Sequence, residues 1–121
     1  MSHIMVIDDQ ASMREITTEM LRKDGFEVTE AGDGEEALKI FNLNPTSFDL
    51  IFADVNMPKI DGFEFLKKVK QVHPEIPVIF ITGMDEEAVT FAGQEYHVNG
   101  IIKKPFTEEE LLKTIKDALK K

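Results

Sequence analysis

The apolar residues of this 121-residue chain fall into short unbroken runs instead of alternating with polar ones, and that pattern narrows the fold more than any other feature. Residues 4–7, 50–53, 78–81 and the pair 101–102 carry no polar position, as strands do when both faces of their sheet are covered. Residues 27–31 read as a weaker, edge-like fifth strand. Between the runs the period becomes helical: Met13, Ile16, Thr17, Met20 and Leu21; then Ala37, Leu38 and Phe41; then Phe65, Leu66, Val69 and Val72; finally Leu111, Leu112, Ile115, Ala118 and Leu119. Turn signals at Asp24-Gly25, Asp33-Gly34, Asn44-Pro45, Asp61-Gly62, Pro74 with Pro77, and Asn99-Gly100 separate these segments, and Thr107 with Glu110 reads as a capping box. Residues 86–95 offer only Ala88, Val89, Phe91 and Ala92, so the helix expected there is the least anchored and is predicted to move. Strict strand-helix alternation with right-handed crossovers predicts an α/β fold, a parallel sheet with helices on both faces in three layers.

The length suits a single domain over residues 1–121 with a real core. A formal charge of −9 argues against direct nucleic-acid binding, because an acidic surface repels a polyanion. The absence of cysteine removes disulfide frameworks and thiolate metal sites and suits a reducing, cytoplasmic location. No apolar stretch is long enough for membrane insertion, and no secretory leader is expected.

In an open parallel sheet the ligand crevice lies beyond the carboxyl ends of the strands, so residues that close successive strands converge there. Here those residues are Asp8 and Asp9, then Asp54, Thr82 and Lys104. Taken singly, each has an ordinary reading. An acidic doublet is usually a solvated turn, Asp54 can cap a loop, Thr82 suits a strand end, and a lysine before a proline usually reaches into water. Taken together they describe a cation and phosphate pocket. Three carboxylates about 5 Å apart repel by roughly 3 kcal/mol per pair at an effective dielectric of about 20, and a hard cation removes that penalty. Mg2+ prefers oxygen ligands of this kind, and the backbone carbonyl of Asn56 can add another.

The motifs Val6-Ile7-Asp8-Asp9, Asp54-Val55-Asn56-Met57-Pro58 with Asp61-Gly62, Ile81-Thr82-Gly83 and Lys103-Lys104-Pro105-Phe106 give the whole chain a pattern that resembles the receiver domain of bacterial two-component response regulators. The resemblance implies a CheY-like, flavodoxin-like five-stranded parallel sheet in the order 2-1-3-4-5. It also implies a phosphorylation-activated switch in a phosphorelay. Asp54 would be the phosphoacceptor, Asp8, Asp9, Asp54 and Asn56 the Mg2+ ligands, and Lys104 and Thr82 the partners of the phosphoryl oxygens. The implied donor is a sensor histidine kinase or phosphotransfer protein. The implied output is a downstream protein effector reached through the fourth helix, fifth strand and fifth helix, here residues 86–120, and a phosphorylation-linked dimer stays open. The chain departs from the family at Ile101, where an aromatic residue usually stands three positions before the lysine, so a muted or rerouted output change is expected. Asn56 and Met84, two residues beyond Asp54 and Thr82, stand where the family tunes phosphoryl lifetime.

The resemblance makes the chain a signalling module rather than an enzyme, with chemistry limited to transfer onto its own Asp54 and slow self-dephosphorylation. The alternative is a Mg2+-dependent phosphohydrolase with Asp54 as nucleophile, but Asn56 stands where such enzymes typically carry a second acid. A flavin carrier of the same fold class would need donors where Asp8 and Asp9 stand. His3, His73 and His97 show no ligand spacing and read as surface residues, and Arg14 is placed on the first helix near the pocket rim without a site role.

Overall fold

The computed structural model describes residues 2–55, 57–83 and 98–119. Strands β1 (His3–Ile7), β2 (Glu27–Ala31), β3 (Leu50–Asp54), β4 (Val78–Thr82) and β5 (Gly100–Lys103) form one parallel sheet in the order β2-β1-β3-β4-β5. The described helices are α1 (Ala11–Lys23), α2 (Gly34–Leu43), α3 (Gly62–Val72) and α4 (Glu108–Leu119), with a 3-10 turn at Pro45–Ser47. The helix expected over residues 86–95 lies outside the described residues. None of the described helices is long and apolar enough to cross a membrane.

The unbroken apolar runs are explained by two cores, one on each side of the sheet. Met5, Ile7, Ile51, Ala53, Val78 and Phe80 point to one face and pack with Ala37 and Phe41 of α2 and Phe65, Leu66 and Val69 of α3. Their chain neighbours Ile4, Val6, Leu50, Phe52, Ile79 and Ile81 point to the other and pack with Leu21 of α1 and Leu111, Ile115 and Ala118 of α4. Successive side chains of a strand alternate between faces, so a central strand covered twice must be apolar throughout. β3 and β4 are buried at every position, whereas in the edge strand β2 only Val28 and Ala31 are buried.

Local chemistry sets the helix starts. Asp33 caps α2 by accepting the Glu36 amide at 2.8 Å, and Asp61 caps α3 by accepting the Glu64 amide at 2.9 Å. The capping box before α4 forms reciprocally: the Glu110 carboxylate accepts the Thr107 amide at 2.9 Å, and the Thr107 hydroxyl accepts the Glu110 amide at 3.1 Å.

The face of α1 differs in part from the sequence reading. Thr17 and Leu21 are buried and Met13 and Met20 half-buried as expected, but Ile16 is exposed and Thr18 is buried in addition. The Thr17 hydroxyl is satisfied by the Met13 carbonyl at 3.0 Å, so its burial leaves no open donor, and Arg14 is brought inward to polar partners at the sheet edge.

Candidate functional site

Asp54 is the last residue of β3, Thr82 the last of β4, Asp8 follows β1 directly, and Lys104 follows β5. Register then does the rest. Ile7 pairs with Ala53, Asp54 with Ile81, and Thr82 with Lys103, so all four residues lie at one rim of the sheet.

Asp8, Asp54 and Thr82 are buried, with 2%, 5% and 0% of their surface exposed, and Asp9 is exposed. Buried charges require partners, and the two buried carboxylates share the lysine as one of theirs. Lys104 Nζ lies 3.0 Å from Asp54 Oδ2 and 3.4 Å from Asp8 Oδ2. Burial alone would lower the pKa of this ammonium, but its hydrogen bond to Asp54 and the charges of Asp54 and Asp8 outweigh burial and hold the pKa above the usual lysine value. The backbone of Lys104 is also anchored, its amide donating to the Thr82 carbonyl at 2.7 Å. The peptide bond between Lys104 and Pro105 is cis.

One oxygen from each of Asp8, Asp9 and Asp54 lies within 4.8 Å of the others. Three carboxylates against one ammonium leave a negative excess at the rim. Clustered hard oxygen donors of this kind fit a small divalent cation such as Mg2+, which takes one or two carboxylates, waters and a phosphate oxygen. Asn56, the fourth expected ligand, lies outside the described residues.

The loop after Asp54 is pressed tightly against the strand end. The Gly62 amide donates to the Val55 carbonyl at 2.8 Å, and a Cβ at Gly62 would sit 2.8 Å from Val55 Cα and 3.0 Å from the Asp54 carbonyl oxygen. A side chain therefore cannot be accommodated without moving the backbone that carries Asp54. Within the same loop Lys59 takes a left-handed conformation, φ 70°, and its ammonium lies 3.5 Å from the Asp33 carboxylate.

Two residues have partners that the sequence reading did not give them. Arg14 donates from Nη1 to the Asp8 carbonyl at 2.7 Å and from Nε to Glu30 Oε1 at 3.2 Å. Its charge and helical position hinted at the rim, but the partnership with Glu30 of β2 depends on strand register. His3 corrects the surface assignment at the opposite end of the sheet. It is half-buried, its Nδ1 lies 3.1 Å from the Ser47 carbonyl and its Nε2 2.6 Å from Thr29 Oγ1, and its ring packs on Phe48 at a 4.4 Å centroid distance. Since a carbonyl only accepts, Nδ1 carries the proton in the Ser47 contact. Ile101 is half-buried in β5, opposite Phe80 in register, and packs against the core on the α2 and α3 side.

With this geometry in place, comparison with known proteins adds a family. The sequence profile described as Response regulator receiver domain matches residues 4–116. The chain is 34% identical over 121 residues, 100% of its own length and 52% of the other's, to the transcriptional regulatory protein CpxR homolog of Haemophilus influenzae. It is 35% identical over 121 residues, 100% of its length and 50% of the other's, to the transcriptional regulatory protein CpxR of Escherichia coli. Thus it spans about half the length of the curated relatives it matches. Among solved structures it superposes on a response regulator receiver domain protein from Clostridium thermocellum with a TM-score of 0.92 at 30% identity, covering 98% of this chain and 94% of that one. It superposes on the chemotaxis protein CheY4 of Vibrio cholerae with a TM-score of 0.91 at 34% identity, covering 98% of both chains.

Proposed function

The chain belongs to the receiver domain family of response regulators, the signalling proteins of two-component systems, and from that premise we propose that Asp54 is its phosphoacceptor. The observation that carries this reading is the placement of a buried Asp54 carboxylate 3.0 Å from the Lys104 ammonium, in the same crevice as Asp8 and Asp9.

A carboxylate oxygen of Asp54 attacks the phosphorus of a phosphohistidine on a sensor histidine kinase or phosphotransfer protein. The O–P bond forms as the N–P bond breaks, and the imidazole departs. Such transfer requires positioning and charge more than covalent help from the protein. Asp8, Asp9, Asp54 and the Asn56 carbonyl are the proposed ligands of Mg2+, which when bound neutralises charge on the transferring phosphoryl oxygens. Lys104 covers the opposite side, moving its hydrogen bond from the carboxylate to a phosphoryl oxygen. Thr82 then donates its hydroxyl to another, which ties phosphorylation to the residues following β4.

A complete switch, from 1:99 to 99:1, needs a difference of about 5.5 kcal/mol between the two conformers. Two charge-assisted hydrogen bonds, at about 1.5–3 kcal/mol each, supply a large share of it. The output surface is proposed to include β5 and α4, with residues 86–97, which lie outside the described residues, as the remainder. Because the curated relatives are transcriptional regulators of about twice this length, the effector is proposed to be a further module or protein rather than DNA contacted by this acidic domain, working in the cytoplasm.

Incubation with a small acyl phosphate and Mg2+, followed by intact-mass measurement, tests the assignment. One phosphoryl group should be added to the wild-type chain and none to Asp54→Asn. Undiminished labelling of that variant would refute the acceptor, and sustained turnover of a generic phosphomonoester would replace this reading with the phosphohydrolase.

A further inference from the structure

The environment of Asp8 is asymmetric in a way that the phosphoryl chemistry does not require. Its carboxylate Oδ1 accepts the Gln10 amide at 2.9 Å, its Oδ2 faces Lys104 at 3.4 Å, and its amide donates to the Ala31 carbonyl of β2 at 3.2 Å. The remaining polar group, the Asp8 carbonyl, points toward α1 and is held by Arg14 Nη1 at 2.7 Å, the shortest of these contacts. Arg14 is itself fixed from the other side, because Glu30 Oε1 holds its Nε at 3.2 Å. Arg14 and Glu30 are partly covered, with side chains 22% and 32% exposed, so this is not a pair waving in solvent.

We propose that Arg14, oriented by Glu30, is a positioning residue of the divalent-ion site. The guanidinium grips the carbonyl of the peptide that joins Asp8 to Asp9 and thereby fixes how the two neighbouring carboxylates are presented. This rests on the reading of Asp8 and Asp9 as ion ligands given above.

Helical side chains lean toward the helix N-terminus, so an arginine in the second turn of α1 reaches back over the loop that precedes the helix. Only a planar fork serves here. With Nε engaged by Glu30, the direction of Nη1 is set by the rigid guanidinium, whereas a lysine offers a single ammonium that cannot satisfy both partners along fixed directions. Asp9 is the exposed ligand, with no hydrogen bond or ion pair of its own among the described residues, so its orientation depends chiefly on the peptide plane it shares with Asp8. Groups that orient metal ligands from behind typically change metal affinity about 10- to 100-fold when lost.

Positioning by Arg14 and simple electrostatics differ in the sign of their effect on ion binding. Removing the positive charge of Arg14 near a cation should tighten ion binding through Coulomb repulsion relieved, and removing the negative charge of Glu30 should weaken it. The positioning role requires the reverse for Arg14 and indifference for a neutral isostere of Glu30 that keeps Oε1. The test is a Mg2+ titration followed by backbone amide NMR shifts of residues 8–10, with Mn2+ binding counted by the loss of the free-ion EPR signal. Arg14→Gln and Arg14→Lys should weaken binding about tenfold. Glu30→Gln should bind as the wild type does, and Glu30→Ala should weaken binding in the same direction as Arg14→Gln. In the metal-free protein, the Asp9 amide shift, which reports the hydrogen bond on the other end of its peptide, should move in Arg14→Gln and stay in Glu30→Gln.

Unchanged or tighter binding by Arg14→Gln overturns the proposal, as does equal weakening by Glu30→Gln and Glu30→Ala, which would assign the effect to charge. If Arg14→Gln does not fold, the two Glu30 variants decide by the same comparison. A wild-type chain that takes no Mg2+ at residues 8–10 would instead refute the ion site itself. A wild type that binds beside an indifferent Arg14→Gln would refute only the clamp.

Discussion

Replacing Lys104 with methionine removes the ammonium that, among the described residues, lies between two buried carboxylates, while keeping much of the side-chain volume. The contacts of Nζ at 3.0 Å with Asp54 and 3.4 Å with Asp8 correspond to about 5 kcal/mol of attraction each at an effective dielectric of about 20. Each pair among the three acids, whose oxygens lie within 4.8 Å of one another, contributes at least about 3 kcal/mol of repulsion on the same scale. Attraction and repulsion therefore nearly balance in the wild type, and the variant keeps only the repulsion. Recovered hydration of the lost ammonium offsets part of this, and one-sided removal of a buried partner ordinarily costs 3–5 kcal/mol, so the expected destabilisation of metal-free Lys104→Met is about 3 kcal/mol. For a chain of this size that lowers the melting temperature by about 10 °C. Urea unfolding followed by circular dichroism checks the value, and a second series with saturating Mg2+ should return most of the loss, because the ion replaces the missing charge and no longer competes with an ammonium. The pH dependence has a definite sign. The folded pKa of Lys104 is raised, so its contribution is fully present below the unfolded value of about 10.4 and is lost as pH rises through the folded value. The gap between wild type and variant should thus be flat through neutral pH and close only in strong alkali. Equal stability of the two metal-free proteins at pH 7 would refute the charge balance described for this rim.

Asp33→Ala should cost about 1 kcal/mol at pH 7 through loss of the α2 cap. The cap bond from Glu36 holds the Asp33 pKa below its ordinary 3.8, so the ionised cap stabilises above that value and the difference from wild type should vanish as pH falls through the lowered folded value, which urea titrations from neutral to acid pH will show. Gly62→Ala should destabilise by about 1–3 kcal/mol, because its Cβ meets backbone that cannot yield, and should slow acyl phosphate labelling by displacing the end of β3. Wild-type labelling by intact mass would contradict that coupling. Thr18→Val should raise stability by about 1 kcal/mol, since the buried Thr18 hydroxyl has no hydrogen-bond partner among the described residues. A lower unfolding midpoint would show that the hydroxyl is satisfied.

The strands were readable because burial on both faces leaves a strand no polar positions, and residues 50–53 and 78–81 fall inside β3 and β4 for that reason. The weak, mixed segment at 27–31 is the edge strand β2. On α1 only Ile16 was misplaced, because hydrophobicity alone puts it inward, whereas Thr18, with no hydrogen-bond partner among the described residues, is buried beside the expected Thr17 and Leu21. Strand-end positions were readable too, since convergence at one rim follows from parallel topology, and the structure brings Asp8, Asp9, Asp54 and Lys104 together there. What could not be read were contacts that depend on register and side-chain reach. Glu30 carries no local signal, and its approach to Arg14 appears only once β2 is paired beside β1. His3 likewise looked like a surface residue until Thr29 of β2 and the neighbours Ser47 and Phe48 were gathered around it from two other segments.

Lys104 connects more of the sheet than its ion pairs suggest. Its side chain binds Asp54 of β3 and Asp8 beyond β1, and its amide binds the carbonyl of Thr82, the terminal residue of β4. A single residue at the end of β5 thus touches the ends of the three other strands that bear the candidate site. The fold around it has little freedom to absorb a shift, because β3 and β4 are buried at every position and packed interiors transmit displacement rather than yielding to it. If Lys104 exchanges Asp54 for a phosphoryl oxygen, its ammonium moves while its backbone remains tied to Thr82, so strain enters the β4 and β5 termini directly. Ile101, three residues earlier in β5 and packed beside Phe80, lies on that same route and takes up change by packing, with no hydroxyl to exchange. On the proposed reading, backbone tethers and apolar contact at the β4–β5 rim would therefore carry part of the switch beside the Thr82 hydroxyl.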